Sequence, residues 1–412
     1  MKVNGIIAEY NPFHNGHLYQ LQQSKQKTSA DYTIVVMSGN FTQRGEAAFC
    51  EKHLRAKMAL QNGADLVLEL PAVYATSSAG EFAFGGVSIL NDLGVVDTLS
   101  FGSECGDLDE LIRIADVLAK ESGEFQEQLQ RYLTEGDPYP VARWKACSCC
   151  LQKESASVIE LLSRPNNILA LEYLQTLQNL HSSIQPYTTK RIESDYHSEY
   201  LGESISSATA IRKALSEGTN LHALERNMPQ PSLALLSPSI GVEYQRLKDV
   251  LSAALFQKMY WEREEGFTDY LDVSAALSDR ICGKILQYKD MESFAQQLKT
   301  KELTLARIRR SLLHIALNIK AREPFNKRNP PPVPYARVLG FRKEAKPLLG
   351  AIKNHSSIPL ITKPADAAGS LSGNALDRFL QDLRISQFYL NILYQANAGT
   401  ALNEYTIPIV IL

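Results

Sequence analysis

Four short apolar runs in the first hundred residues, at 3–9, 32–38, 65–70 and 98–101, are each followed within three residues by proline or glycine. Between them lie stretches with helical spacing at 17–28, 50–62 and 79–93. Connections of that length are not hairpin turns, so consecutive strands must run parallel, joined by right-handed crossover helices. The expected fold class is therefore α/β, a parallel sheet wound with helices. Further helices fit 107–121, 124–134 and 155–162, and another strand fits 187–193.

The pattern changes after Asn227-Met-Pro-Gln-Pro-Ser, which reads as a linker. Helices are expected at 244–263, 278–287, 291–299 and 304–319, then a proline-rich turn, a short strand at 336–340 and helix again at 372–396. At 412 residues the chain exceeds the usual size of one core. Two domains are expected, 1–225 with the parallel sheet and 226–412 mainly α-helical. No apolar run approaches 18 residues, and no paired Cys-x-x-Cys pattern links the six cysteines. The expectation is a cytoplasmic protein with reduced thiols and no structural zinc.

The first run ends in Tyr10-Asn11-Pro12-Phe13-His14-Asn15-Gly16-His17 and opens directly into a helix. Glycine lets backbone approach a phosphate, a helix start offers free N–H groups to an anion, and two imidazoles three residues apart can face one ligand. The implied ligand is ATP, with His14 and His17 donating to phosphate oxygens as charge builds at the α-phosphorus. A second helix start, Ile205-Ser206-Ser207-Ala208-Thr209-Ala210-Ile211-Arg212, carries hydroxyls and an arginine one turn in. Ser206, Ser207, Thr209 and Arg212 can hold the β- and γ-phosphates. Each stretch alone reads as a capped helix; together they suggest a phosphate clamp.

This pair of motifs resembles the nucleotidyltransferase superfamily of the His-x-Gly-His type, which implies a Rossmann-like catalytic domain. The match narrows with Glu9-Tyr-Asn-Pro-Phe-His-Asn-Gly-His, Ser38-Gly-Asn-Phe-Thr-Gln-Arg-Gly-Glu, Gly63-Ala-Asp-Leu-Val-Leu-Glu-Leu-Pro, Pro165-Asn-Asn-Ile-Leu and Arg337-Val-Leu-Gly-Phe. Together these resemble the tRNA(Met) cytidine acetate ligases over almost the whole chain. The resemblance implies activation of acetate by ATP to acetyl-adenylate. The acetyl group would then pass to the 4-amino group of the wobble cytidine of elongator tRNA(Met), giving N4-acetylcytidine.

Carried over residue by residue, the resemblance implies an ATP site formed by Ile7, Ala8, Glu9, Tyr10, Asn11, Pro12, Phe13, His14, Asn15, Gly16, His17, Leu18, Tyr19 and Gln20. Gly102, one of Asn166 and Asn167, and Arg191 with Ile192 would complete it. Acetate is an anion approaching a polyanion, so His14, His17 and Arg212 are the expected catalytic donors. Asn40, Gln43 and Arg44, in the loop after the second strand, would hold acetate or the incoming cytidine. Mg2+ is expected with ATP, held mainly by its phosphates, because no carboxylate cluster marks a metal site.

The formal net charge is only -2, but residues 301–346 hold twelve Lys and Arg against Glu302, Glu323 and Glu344. Arg307, Arg310, Lys327, Arg328, Arg337 and Lys343 are the expected tRNA contacts, a basic ridge that follows the RNA backbone. Two other readings stay open on the residues alone. One is an adenylyltransferase acting on a small phosphorylated cofactor precursor, and the other is a nucleotide-dependent RNA-binding protein without catalysis.

Overall fold

The structure is a computed structural model that describes residues 1–137, 139–152, 155–191, 206–321, 333–397 and 400–412. Its strands are β1 (Val3–Ala8), β2 (Tyr32–Ser38), β3 (Leu66–Leu70), β4 (Thr98–Ser103), β5 (Gln185–Lys190), β6 (Ala336–Phe341), β7 (Leu360–Ile361) and β8 (Val410–Ile411). They form one sheet in the order β5-β4-β1-β2-β3-β6-β7, with β8 also on β6. Strands β1 to β5 are parallel, with Ile6 opposite Val35, Val36 opposite Leu68 and Phe101 opposite Thr188. The chain builds outward from β1 through β2 and β3, then returns to place β4 on the other side of β1. That reversal leaves a crevice beyond the carboxyl ends of β1 and β4, where open α/β sheets bind ligands.

The five strands expected from the apolar runs are present, with ends shifted by a few residues. The strand near residue 336 has a role that its local sequence does not reveal. As β6 it pairs antiparallel with β3, Val338 opposite Leu68 and Arg337 opposite Glu69, and β7 and β8 line its far side. All five residues of β3 are buried, so without β6 this apolar strand would be an open edge. A boundary at residue 225 therefore runs through the sheet, because the last third of the chain returns to cover β3.

Beyond the linker, helices Ile240–Glu262, Ala275–Lys284, Met291–Leu298 and Leu305–Ala316 enclose an apolar cluster that includes Leu255, Phe267, Leu277, Phe294, Ile308 and Leu312. The long Gly373–Asn397 helix packs along Ile240–Glu262. Cys147, Cys149 and Cys150 lie on a helix, Tyr139–Cys150, that the sequence pattern did not mark, and all six cysteines are free thiols.

Candidate active site

The turn after β1 is built by packing. Tyr10 takes φ 46°, a left-handed conformation that costs a bulky residue energy, and it is only 1% exposed. Its ring meets Phe13 and His17 edge-on, both at 4.8 Å between centroids, which fixes the turn from behind. The following helix, Asn15–Thr28, starts with a reciprocal cap. Gly16 N–H donates to His14 Nδ1 (3.0 Å), and His14 N–H donates to His17 Nδ1 (3.3 Å). The two rings stack at 3.7 Å.

Those caps settle the chemistry of the pair. With Nδ1 of each ring accepting a backbone N–H, the proton of the neutral ring sits on Nε2. Burial, with Arg191 and Arg212 nearby, pushes His14 down to about 3, and burial beside His14 and Arg191 holds His17 well below the usual histidine range. Both imidazoles are therefore neutral Nε2–H donors near pH 7.

Both histidines line a cavity of about 480 Å³ beyond β1 and β4. Its walls include Ile7, Ala8, Glu9 and Gln20 from the first segment, Gln43 and Arg44 from the β2 loop, and Phe101 and Gly102 from β4. Ser78, Asn166, Arg191, Ser207, Thr209 and Arg310 add to its polar lining. A recess of about 30 Å³ joins it at His14 and His17, between Gly16, Tyr19, Gly102, Thr189, Arg191 and Ser206. At Gly102 a Cβ would come to 3.2 Å from the Arg191 side chain, so the missing side chain keeps this wall open. Ser207 caps the Ala208–Ser216 helix by accepting from Ala210 N–H (3.0 Å). Arg44 donates to Thr209 Oγ1 (3.0 Å), and Glu9 accepts from Gln43 N–H (2.9 Å), so the β2 loop is tied across the cavity at two points. Burial raises the Glu9 carboxyl above its ordinary range. Among the described residues, the charged side chains of the wall are Glu9 and the cations Arg44, Arg191 and Arg310.

Several expected site residues stand elsewhere, for identifiable reasons. Arg212 does not line the cavity. It is buried, donating to Asn11 O (2.8 Å) and pairing with Glu46 (3.1 Å), and so braces the turn from behind. Tyr10, Asn11, Pro12, Phe13, Asn15 and Leu18 also stay out of the cavity wall. Asn11 Oδ1 accepts from Phe49 N–H, and the Asn15 side chain donates to Arg226 O. Of the asparagine pair, Asn166 reaches the cavity; the Asn167 side chain holds Glu104 N–H, Cys105 N–H and Leu161 O. Asn40 is 3% exposed and bonded to Ser386 and to the Lys52 backbone, which removes it from any acetate or cytidine contact.

The basic ridge is dispersed by the fold. Arg337, 4% exposed, is locked between Glu69 and Glu404 in the interior and is not a tRNA contact. Arg310 turns into the cavity, within 3.5 Å of Asp272. Arg307 stays in the first turn of the Leu305–Ala316 helix, half-buried at the surface. Lys343 is exposed but follows β6, whose end lies beside the start of β3, at the opposite edge of the sheet from the cavity. Ile192, Lys327 and Arg328 lie outside the described residues.

Arg55 is a positioning residue that the sequence reading missed. Fully buried, it donates to the carbonyls of Glu9 (2.7 Å), Ser38 (3.0 Å), Cys50 (2.9 Å) and Gly39, gathering the ends of β1 and β2 beneath the cavity. Carbonyl partners leave no sequence signature, since every residue has one.

The chain is similar to known proteins along its whole length. Residues 1–404 match the family described as HIGH Nucleotidyl Transferase. The tRNA(Met) cytidine acetate ligase of Thermoanaerobacter sp. (strain X514) is 40% identical over 100% of both chains. That of Acetivibrio thermocellus is 41% identical, covering 89% of each. Among solved structures, apo Thermotoga maritima TmcAL superposes with a TM-score of 0.90 at 31% identity over 100% of both chains. The same protein bound with alpha-thio ATP gives 0.86 over 100% of this chain and 99% of that one.

Proposed function

The chain belongs to the HIGH nucleotidyltransferase family and, within it, to the tRNA(Met) cytidine acetate ligases, and we propose that its cavity is where ATP activates acetate for transfer to tRNA. It is an ATP-dependent ligase of the tRNA-modifying class. One acetate oxygen bonds the α-phosphorus while the bond to the β-phosphate breaks and pyrophosphate leaves. The 4-amino nitrogen of the wobble cytidine then bonds the acetyl carbon, the carbon–oxygen bond to AMP breaks, and the amino proton passes to water. The product is N4-acetylcytidine. A tRNA substrate puts this reaction in the cytoplasm, and no helix among the described residues is long and apolar enough to cross a membrane.

The observation that carries this reading is the paired Nε2–H donors of His14 and His17, fixed by backbone caps at the mouth of a cavity walled by Arg44, Arg191 and Arg310. Neutral donors already in place stabilise charge that develops on the α-phosphate without reorganisation. Gly102, Arg191, Ser206, Ser207 and Asn166 would hold the nucleotide, and Gln43 and Arg44 would face the acyl group or the base. Arg212 and Asn167 would support the site from behind. The Mg2+ that accompanies ATP would be held mainly by phosphate oxygens and water. Glu9 is the cavity's carboxylate, and no cluster of three His, Cys, Asp or Glu side chains occurs among the described residues. The tRNA would approach over the Leu305–Ala316 helix.

Acetate-dependent exchange of pyrophosphate into ATP tests the activation step. Exchange without acetate, or only with a nucleoside monophosphate, refutes it. His17→Ala should lower exchange by about 10²–10³-fold while leaving tRNA retention on a filter intact.

A further inference from the structure

The cavity has an apolar end that its nucleotide-facing side lacks. Ile7 at the end of β1, Phe101 in β4, Phe82 on the Ala79–Asp92 helix, and Leu169 and Tyr173 on the Pro165–Asn179 helix converge there. None of the five lines the recess that holds Gly102, Thr189, Arg191 and Ser206. Tyr173 is the unusual member. It is 2% exposed, its ring lies 5.6 Å from Phe101, and its hydroxyl has no hydrogen-bond partner among the described residues. Burial and the nearby Glu9 raise its pKa, so the hydroxyl keeps its proton and remains a donor.

A buried hydroxyl without a partner weakens the empty fold, and a phenylalanine would pack there without that cost. Nothing among the described residues repays the hydroxyl, so the geometry calls for a ligand group to do so. It must accept a hydrogen bond, and the rest of it must be apolar, because the surrounding wall is aliphatic and aromatic. Acetate has this chemistry: a carboxylate at one end and a methyl at the other.

We propose that this apolar end, walled by Ile7, Phe82, Phe101, Leu169 and Tyr173, is the acyl subsite, where the Tyr173 hydroxyl donates to the acetate carboxylate and the wall excludes longer acids. The inference rests on the acetate-activating reading above. The Arg44 guanidinium lines the same cavity and supplies the countercharge. A Glu9 carboxyl that burial keeps protonated more readily than usual does not repel the incoming anion as strongly as an ordinary carboxylate would.

Pyrophosphate exchange with acetate and propionate tests it. Tyr173→Phe should raise the KM for acetate about tenfold or more, the value of a hydrogen bond to a charged acceptor, and leave the KM for ATP within about twofold. The same variant should melt no lower than wild type, since it loses only an unpaired hydroxyl. Leu169→Ala, at a half-buried position, should shrink the preference for acetate over propionate, which is about tenfold or more for one methylene. A rise in the ATP KM with acetate unaffected would assign this wall to the nucleotide and overturn the proposal. Equal losses for both substrates with a lower melting temperature would make Tyr173 structural and overturn it too. Wild-type protein without acetate-dependent exchange would instead overturn the activation reading, and the inference with it.

Discussion

His14 shows how the fold fixes the charge state of an ionisable ring. Its ring is 4% exposed, its Nδ1 is occupied by Gly16 N–H, and two arginines stand near, so it stays neutral down to about pH 3. Unfolded, the same ring titrates near 6.5, so between those values the unfolded chain binds more protons than the folded one. The sign follows: the stability that a neutral His14 contributes is complete above about pH 6.5 and is lost as pH falls toward 3, at up to about 1.4 kcal/mol per pH unit. Urea midpoints at pH 7.5 and pH 5.5 should therefore drop more for wild type than for His14→Gln. Identical drops would mean that this ring is protonated in the fold. The His-x-Gly-His spacing was legible as a turn that opens a helix, because a glycine and a helix start act locally. The charge state was not legible, because it depends on burial and on Arg191 and Arg212, far along the chain.

At the scale of elements, the contact between the β2 loop and the Leu305–Ala316 helix joins the two halves of the site. Gly45 sits at φ 76°, and a Cβ there would stand 2.5 Å from both Arg309 C and Arg310 N, backbone atoms that cannot swing aside. Gly45→Ala should cost about 2–4 kcal/mol, combining left-handed strain with overpacking. It should also raise the KM for acetate by moving Gln43 and Arg44; a stable variant with unchanged kinetics would show that the loop is not held by this contact. The same helix separates two arginines that sequence grouped together. Arg307→Ala should weaken tRNA retention and spare exchange. Arg310→Ala should raise the KM for ATP by about tenfold or more, as expected for loss of a charge-assisted contact. Parallel behaviour of the two variants would restore the single basic ridge. Both lie one turn apart on the helix, so their spacing was legible, but not the cavity that receives one of them.

Across the whole molecule, a buried charge network ties the chain's end to its sheet. Lys52 contacts Glu69 (2.8 Å) and Glu404 (2.7 Å), Arg337 lies 3.1 Å from Glu69 and also bonds Glu404, and Ser386 donates to Glu404 (2.7 Å). Lys52 and Arg337 hold Glu404 well below the usual carboxylate range. Removing one charge from such a group strands the others in the interior, so Glu404→Gln should destabilise by about 3–5 kcal/mol in urea titration. A loss below about 1 kcal/mol would mean that water reaches the cluster. What the sequence by itself determined is what adjacent residues decide: parallel strands set by apolar runs and their breaks, helix starts close to the His-x-Gly-His turn and to the stretch at 206–209, and the turn between strand and helix. What only the tertiary structure decided is the work of each charged side chain. Arg212 serves Asn11, 201 residues away, and Arg337 serves Glu404, 67 residues away, whereas Arg310 reaches the cavity. A buried charge must find a partner wherever the fold brings one, and that distance through the chain carries no local pattern.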